Sequence, residues 1–121
     1  MSTDVCVPIS RLAECVEDTR RDIEESGIIA PIVGHVGDGN FHTLPIALPD
    51  DVEAWKRIQS FVERLSERAI AMDGTCTGEH GIGQGKIKYL RQEMGPAVDM
   101  MIAVKQALDP NDILNPGKLF H

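Results

Sequence analysis

The stretch Gly34-His35-Val36-Gly37-Asp38-Gly39-Asn40-Phe41-His42, GHVGDGNFH in one-letter code, decides the fold. It joins two apolar runs, residues 29–33 and 41–48, whose length and composition are typical of strands. The Asp38-Gly39 pair inside it is a strong signal for a two-residue hairpin turn. We therefore predict an antiparallel hairpin in which His35 lies directly opposite His42 on one face of the sheet.

Helical patterns lie on both sides of this hairpin. A first helix can be capped by Ser10 and stopped by Gly27, and a second can be capped by Asp50 or Asp51 and ended by Gly74. Further helices are predicted over residues 84–94 and from Pro96 to Asp109. The positions expected to be buried are Leu12, Cys15, Val16, Thr19 and Ile23 in the first helix, Trp55, Ile58, Val62, Leu65, Ala69 and Met72 in the second, and Val98, Met101, Ile102 and Leu108 in the last. The predicted class is α+β, a small antiparallel sheet with helices packed on one face.

Composition excludes several classes of function. The 121 residues, 42% of them hydrophobic, suffice for one modest core. A net charge of −7 without clustered basic residues argues against nucleic acid as a partner. No apolar run approaches the ~20 residues that span a bilayer, and three cysteines without metal-ligand or redox spacing indicate reduced thiols, Cys6 and Cys15 in the core. We expect an intracellular, cytoplasmic protein without a transmembrane segment.

The histidines point to chemistry because three of the four lie in Gly-rich loops. Opposed residues of a hairpin have Cβ atoms ~5 Å apart, so the rings of His35 and His42 can reach one metal ion. Glu79, in the irregular segment 74–85, can supply a third ligand and leave positions open for water or substrate. The alternative, a cross-strand histidine pair with satisfied hydrogen bonds, fits the spacing equally well.

The glycines of the second loop, GIGQGK at residues 81–86, lead into a helix and faintly suggest a phosphate loop. They do not complete a dinucleotide or P-loop fingerprint, so a tight connection is the simpler interpretation. The order Glu79-His80, with no second histidine four residues later, is not that of a metalloprotease helix.

Three strings in this order and separation, GHVGDGNFH, DGTCTGEHGIGQGK and LDPNDILNPGK, resemble the C-terminal region of FAD-linked oxidases of the vanillyl-alcohol-oxidase type. Within that group, the run from Gly74 to Gly83 is most similar to D-lactate dehydrogenases that pass electrons to a cytochrome. The flavin subunit of glycolate oxidase and D-2-hydroxyglutarate dehydrogenase also resemble this run. The resemblance covers nearly the whole chain.

The resemblance implies that residues 1–121 are the C-terminal part of a substrate (cap) domain and that the FAD-binding domain is absent. The chain would then be an expressed fragment, a truncated reading frame or one chain of a split enzyme, inactive alone. Its FAD-binding domain would act in cis or in trans. The full enzyme would be cytoplasmic or peripheral to a respiratory membrane, and an apolar face left by the missing domain would favour self-association.

The resemblance also assigns roles to residues. His35, His42 and Glu79 would bind a divalent metal, Zn or Mn foremost, and His80 would be the catalytic base. Asn40 and Asn115 would lie near the flavin or the substrate. An alternative role for His80 is a hydrogen-bond donor that only orients Glu79.

The reaction implied is oxidation of a small 2-hydroxy acid, of D-lactate or glycolate type, to the 2-keto acid. The acid would chelate the metal through its carboxylate and α-hydroxyl, His80 would take the hydroxyl proton, and hydride would pass from the α-carbon to FAD. A hypothesis from another class is a stand-alone metal-binding or interaction module derived from such an enzyme.

Overall fold

A computed structural model of the chain describes residues 2–120 and confirms the α+β class. Its elements in chain order are strand β1 (Val5–Cys6), helix α1 (Ile9–Ser26), strands β2 (Ile32–His35) and β3 (Asn40–Thr43), and helices α2 (Val52–Ala71), α3 (Ile87–Met94) and α4 (Ala97–Leu108). Within the described residues they fall into two compact units, residues 2–80 and 81–120. The candidate site lies in the first unit.

The three strands form one antiparallel sheet in the order β1-β3-β2. The register corrects the predicted hairpin, because His35 pairs with Asn40 and His42 pairs with Val33. A 3-10 turn over Val36–Asp38, followed by Gly39 at φ 76°, replaces the two-residue turn. The change moves the pairing by two residues, and side chains alternate with a period of two, so both histidines stay on the predicted face.

Strand β1 joins the hairpin to the second Gly-rich loop. One edge of β1 pairs with β3, where Val5 lies opposite Phe41. On its other side Cys6 forms an isolated bridge with Thr75, and each residue's N–H donates to the other's carbonyl. The segment that begins at Gly74 is thereby held beside the hairpin.

The helix ends follow the predicted residues in most cases. Asp51 caps α2 by accepting from the N–H of Ala54 at 2.9 Å, and Gly27 ends α1 at φ 60°. The Ser10 cap is wrong, because α1 begins at Ile9 after Pro8 and no side chain caps it. Proline suits this start because its backbone lacks an N–H and its φ is already near the helical value.

The core of the first unit lies between α1, α2 and the sheet. Its buried members are Val5, Val7, Cys15, Phe41, Phe61, Leu65, Ala69 and Met72. Phe61 was missing from the predicted buried positions, whereas Trp55 and Val62 are only half-buried. Cys15 is buried as predicted, but Cys6 is only partly buried. The three cysteines are free thiols.

The second unit consists of α3, α4 and the turns that follow. Val98 is buried as predicted, but Met101 and Ile102 are partly exposed and Leu108 is 78% exposed, which corrects the predicted face of α4. Asp109 ends α4 and accepts hydrogen bonds from the N–H groups of Ile113 and Leu114. Among the helices that the structure describes, none has the length and apolar character needed to cross a membrane.

Candidate metal site

The two histidines of the hairpin lie on the same sheet face as diagonal neighbours. His35 ends β2 and is exposed, while His42 lies within β3 with its side chain 12% exposed. Their ring centroids are 6.2 Å apart and the rings are nearly perpendicular, at 89°. Diagonal partners in a sheet are ~7–8 Å apart at the backbone, which side chains of this length span.

The two ring nitrogens of His42 have different partners. Nδ1 lies 2.9 Å from the carbonyl oxygen of Thr3, which can only accept, so Nδ1 carries the proton. Nε2 is the nitrogen that faces the second loop, and it lies 3.2 Å from Oε1 of Glu79. A histidine that donates one N–H to a carbonyl and presents the other nitrogen is the usual state of a metal-ligating histidine.

Glu79 completes the set of candidate ligands. One ligand atom from each of His35, His42 and Glu79 lies within 4.8 Å of the other two. Metal–ligand distances of ~2.0–2.2 Å place two ligands of one ion at most about 4 Å apart. Small rotations of the exposed side chains of His35 and Glu79 would bring the three ligand atoms within that distance of one another. The residues present therefore fit a divalent cation.

His80 lies directly against this set. Its ring stacks on that of His42 with centroids 5.3 Å apart and 17° between the planes. Its Nε2 is 3.7 Å from Oε1 of Glu79, beyond hydrogen-bond distance, and its side chain is 49% exposed. His80 is therefore accessible from solvent and is not hydrogen-bonded to the carboxylate of Glu79.

The two candidate asparagines lie in different units. Asn40 is buried beside the site, where its Nδ2 donates to Oδ1 of Asp4 at 2.8 Å and to the carbonyl of Val5 at 3.1 Å. Within residues 2–120, the Oδ1 of Asn40 is a buried oxygen without a hydrogen-bond partner. Asn115 lies in the second unit, exposed, with φ 49° in the turn after α4.

Sequence reasoning missed the two residues that precede β1. Thr3 supplies the carbonyl that orients His42, and Asp4 accepts the backbone N–H groups of Glu79 and His80. Both side chains are buried, Asp4 at 1% exposure. A lone acidic residue directly before the apolar segment Val5-Cys6-Val7 was the available signal, but no motif spacing marks it.

Cys6 is close to the site but is poorly suited to bind metal. Burial raises the pKa of its thiol, and the carboxylates of Asp4 and Asp38 raise it further. Sγ donates to the carbonyl of Asp38 at 3.3 Å. Because the thiolate is the form that binds metals, a thiol held protonated in this way contributes a hydrogen bond rather than a ligand.

This site lies in a chain whose residues 1–119 match a family described as FAD linked oxidases, C-terminal domain. The chain belongs to the FAD-linked oxidases. The resemblance predicted from GHVGDGNFH and the two later strings is thereby confirmed.

Similar FAD-linked oxidases cover almost the whole chain. A probable mitochondrial D-lactate dehydrogenase of Danio rerio is 56% identical over 98% of the chain, and a mitochondrial D-lactate dehydrogenase (cytochrome) of Arabidopsis thaliana is 46% identical over 98%. The glycolate oxidase subunit GlcD of Bacillus subtilis is 39% identical over 97%. The chain spans 24%, 21% and 25% of the length of these relatives, which are oxidoreductases by name.

Proposed function

We propose that this FAD-linked oxidase domain supplies the metal-binding and proton-transfer residues of a flavin-dependent D-2-hydroxy-acid dehydrogenase of D-lactate or glycolate type. The observation that carries the proposal is the convergence of His35, His42 and Glu79, whose ligand atoms lie within 4.8 Å of one another. The similarity to D-lactate dehydrogenases and a glycolate oxidase subunit supports the substrate class. The reaction would convert a 2-hydroxy acid to a 2-keto acid.

The metal would be held by Nε2 of His42, an imidazole nitrogen of His35 and a carboxylate oxygen of Glu79. Two imidazoles and one carboxylate are suited to Zn or Mn and leave coordination positions open. The hydrogen bond from Nδ1 of His42 to Thr3 supports this role, because it fixes the tautomer and the ring orientation. When bound, the cation would supply Lewis acidity toward the substrate hydroxyl, and FAD would supply the hydride acceptor.

His80 would take the proton of the substrate hydroxyl at an imidazole nitrogen. Its half-exposed ring stacks on His42, so a hydroxyl held beside the ligands would be within its reach. General-base catalysis of this kind contributes roughly 100- to 10,000-fold to the rate. Glu79 and His80 are adjacent in the chain, so one segment of backbone would place the ligand and the base together.

Asn40 would accept a hydrogen bond from the flavin or the substrate at its amide oxygen. Buried acceptors are almost always paired, and the Oδ1 of Asn40 has no partner within the described residues. A donor on the cofactor or the substrate would satisfy it. Asn115, exposed in the second unit, is proposed to lie near the flavin or the substrate from the family resemblance alone.

Two further assignments rest on the comparison. FAD would be bound mainly by a separate domain in cis or in trans, since residues 1–119 match the C-terminal domain of the family. Relatives from Danio rerio and Arabidopsis thaliana are named mitochondrial, so the cytoplasmic or membrane-peripheral location expected from the sequence stays a prediction.

Metal binding tests the proposal directly. Equilibrium dialysis against Zn²⁺ and against Mn²⁺ should show one bound ion per chain in the wild type. The double variant His35→Ala, His42→Ala and the single variant Glu79→Gln should lose most of it, because each removes ligands. Glu53→Gln is the matched control for the lost charge, since Glu53 is an exposed acid on α2 that forms an ion pair with Lys56, three residues along the same helix.

The control should bind as the wild type does. Equal metal content in the wild type and the double histidine variant would reject the ligand set, and with it the proposed function.

A further inference from the structure

Asp4 connects the two loops of the candidate site through a buried carboxylate. We propose that Asp4 is a positioning residue that holds Glu79 and His80 in register with the histidines of the hairpin. The inference rests on the proposed function for the roles of those residues. The hydrogen bonds that support it are all between residues of this chain and involve no metal or cofactor.

One carboxylate oxygen binds the second loop. Oδ2 of Asp4 accepts from the N–H of Glu79 at 2.9 Å, the N–H of His80 at 2.8 Å and the hydroxyl of Thr77 at 3.1 Å. Two consecutive backbone N–H groups on one oxygen fix the two peptide planes on either side of the Cα atom of Glu79. Hydrogen bonds to a carboxylate are roughly twice as strong as neutral ones, so these planes are held firmly.

The other oxygen binds the hairpin. Oδ1 of Asp4 accepts from Nδ2 of Asn40 at 2.8 Å, and it lies 3.8 Å from Nδ1 of His42. Asn40 is the residue that pairs with His35 in the sheet. The carboxylate therefore contacts β3, the strand that carries His42. The contact is made at Asn40, which lies opposite His35 in the sheet.

The backbone between these contacts packs directly on the carboxylate. A Cβ atom at Gly78 would lie 1.8 Å from Nδ2 of Asn40 and 2.8 Å from Oδ1 of Asp4. Only glycine allows the loop to approach this closely. Glycine by itself leaves the loop flexible, so the hydrogen bonds to Asp4 add order at Glu79 and His80 beyond the bridge at Thr75.

An amide cannot replace the carboxylate at position 4. Asn40, Thr77, Glu79 and His80 all donate to the oxygens of Asp4, and a carboxylate is an acceptor at both oxygens. In Asp4→Asn, the NH₂ group would face either the amide of Asn40 or the N–H groups of Glu79 and His80. At least one side of the connection would therefore be lost while the side-chain shape is kept.

The test compares Asp4→Asn with Asp22→Asn, a second buried acid whose partners are Ser26, Arg64 and Arg68 rather than the loop. Backbone ¹⁵N relaxation on the metal-free protein should give order parameters near 0.85 for Glu79 and His80 in the wild type and below about 0.6 in Asp4→Asn. Asp22→Asn should retain the wild-type values. Affinity for Co²⁺, followed by its visible absorption, should fall about 10- to 100-fold in Asp4→Asn and stay within twofold in Asp22→Asn.

Unchanged order parameters at Glu79 and His80 in Asp4→Asn would overturn the inference, whatever happens to Co²⁺ affinity. If the wild type binds no Co²⁺, the proposed function fails, while the relaxation comparison still decides the role of Asp4. If Asp4→Asn does not fold, Thr77→Val decides, because it removes one donor and keeps the carboxylate. Thr77→Val should weaken Co²⁺ binding about threefold or more, and wild-type affinity would contradict the role of Asp4.

Discussion

At the scale of single residues, the proposed function assigns metal binding and proton transfer to two different histidines. His42 is largely buried, and its Nδ1 is committed to the carbonyl of Thr3. His80 is half-exposed and stacks on His42 without a hydrogen bond to Glu79. The two histidines therefore suit different roles although their rings are in contact.

This separation predicts different outcomes for two substitutions in the complete enzyme with its flavin domain. His80→Ala should retain the metal but lower turnover by about 100- to 10,000-fold, because it removes only the base. His42→Ala should lose the metal and turnover together. Stopped-flow reduction of the flavin by D-lactate or glycolate, combined with metal analysis of the same samples, measures both.

Near-normal flavin reduction in His80→Ala would reject its role as base. His80 would then only pack on the ring of His42, because its Nε2, 3.7 Å from Oε1 of Glu79, makes no hydrogen bond that would orient Glu79, the alternative that the sequence left open. Loss of metal in His80→Ala would instead make it part of the metal-binding set.

At the scale of elements, the turn between β2 and β3 has the tightest backbone constraint near the site. Gly39 ends the 3-10 turn at φ +76°, and a Cβ there would lie 2.1 Å from the carbonyl oxygen of Val7. That carbonyl belongs to the segment after β1, which is also hydrogen-bonded to the turn, since the N–H of Val7 donates to the carbonyl of Gly39. The hairpin therefore packs on the β1 segment through a position that only glycine can fill.

Gly39→Ala should destabilise the protein more than Gly27→Ala does. Both glycines have positive φ, +76° and +60°, but a Cβ at Gly27 meets nothing within 4 Å. Gly27→Ala should therefore cost only the backbone strain, about 1–2 kcal/mol, and Gly39→Ala about 2–5 kcal/mol because overpacking is added. Denaturant unfolding of both variants measures the difference, and equal losses would show that the hairpin can move away from β1 at little cost.

At the scale of the whole molecule, an ion-pair network ties the two long helices together. Asp22 of α1, with its side chain 10% exposed, accepts from Arg64 and Arg68 of α2. Burial by itself raises the pKa of the Asp22 carboxyl, but hydrogen bonds from Arg64, Arg68 and Ser26 outweigh it and the pKa is lowered. The network therefore stabilises the folded state while Asp22 is ionised.

Asp22→Asn should lower the free energy of unfolding by about 2 kcal/mol near neutral pH, because it leaves two arginines without their carboxylate. Since the folded pKa lies below the ordinary value of 3.8, the unfolded state binds more protons between the two values. The contribution of Asp22 is complete above the ordinary value and is lost as pH falls through the folded pKa. The advantage of wild type over Asp22→Asn should therefore shrink in acid.

Urea unfolding at about pH 6 and about pH 3, followed by the fluorescence of Trp55, the single tryptophan, checks this. Trp55 lies on α2 and so reports on the unit that contains Asp22. The same difference between the two proteins at both pH values would contradict the prediction.

The self-association expected of the chain stays a prediction. Exposed apolar residues such as Ile29, Ile46 and Leu48 are consistent with it.

The sequence by itself determined most of the helices, the family and the candidate ligands His35, His42 and Glu79. Helical periodicity, Asp51 and Gly27 carried the helix predictions because caps and amphipathic faces are local properties of the chain. The motif around His35 and His42 placed both on one sheet face, and a register error of two residues did not change that face. The metal and proton-transfer roles of these residues stay predictions.

Only the tertiary structure decided how the hairpin and the second loop meet. The link is β1, which pairs with β3 on one side and bridges to Thr75 on the other, together with the carboxylate of Asp4. Asp4 is separated from Glu79 and His80 by more than seventy positions, so no local pattern can reveal their contact. Hydrogen bonds between residues so far apart in the chain depend on how the whole unit packs. Local sequence patterns predict elements and turns but do not predict that packing.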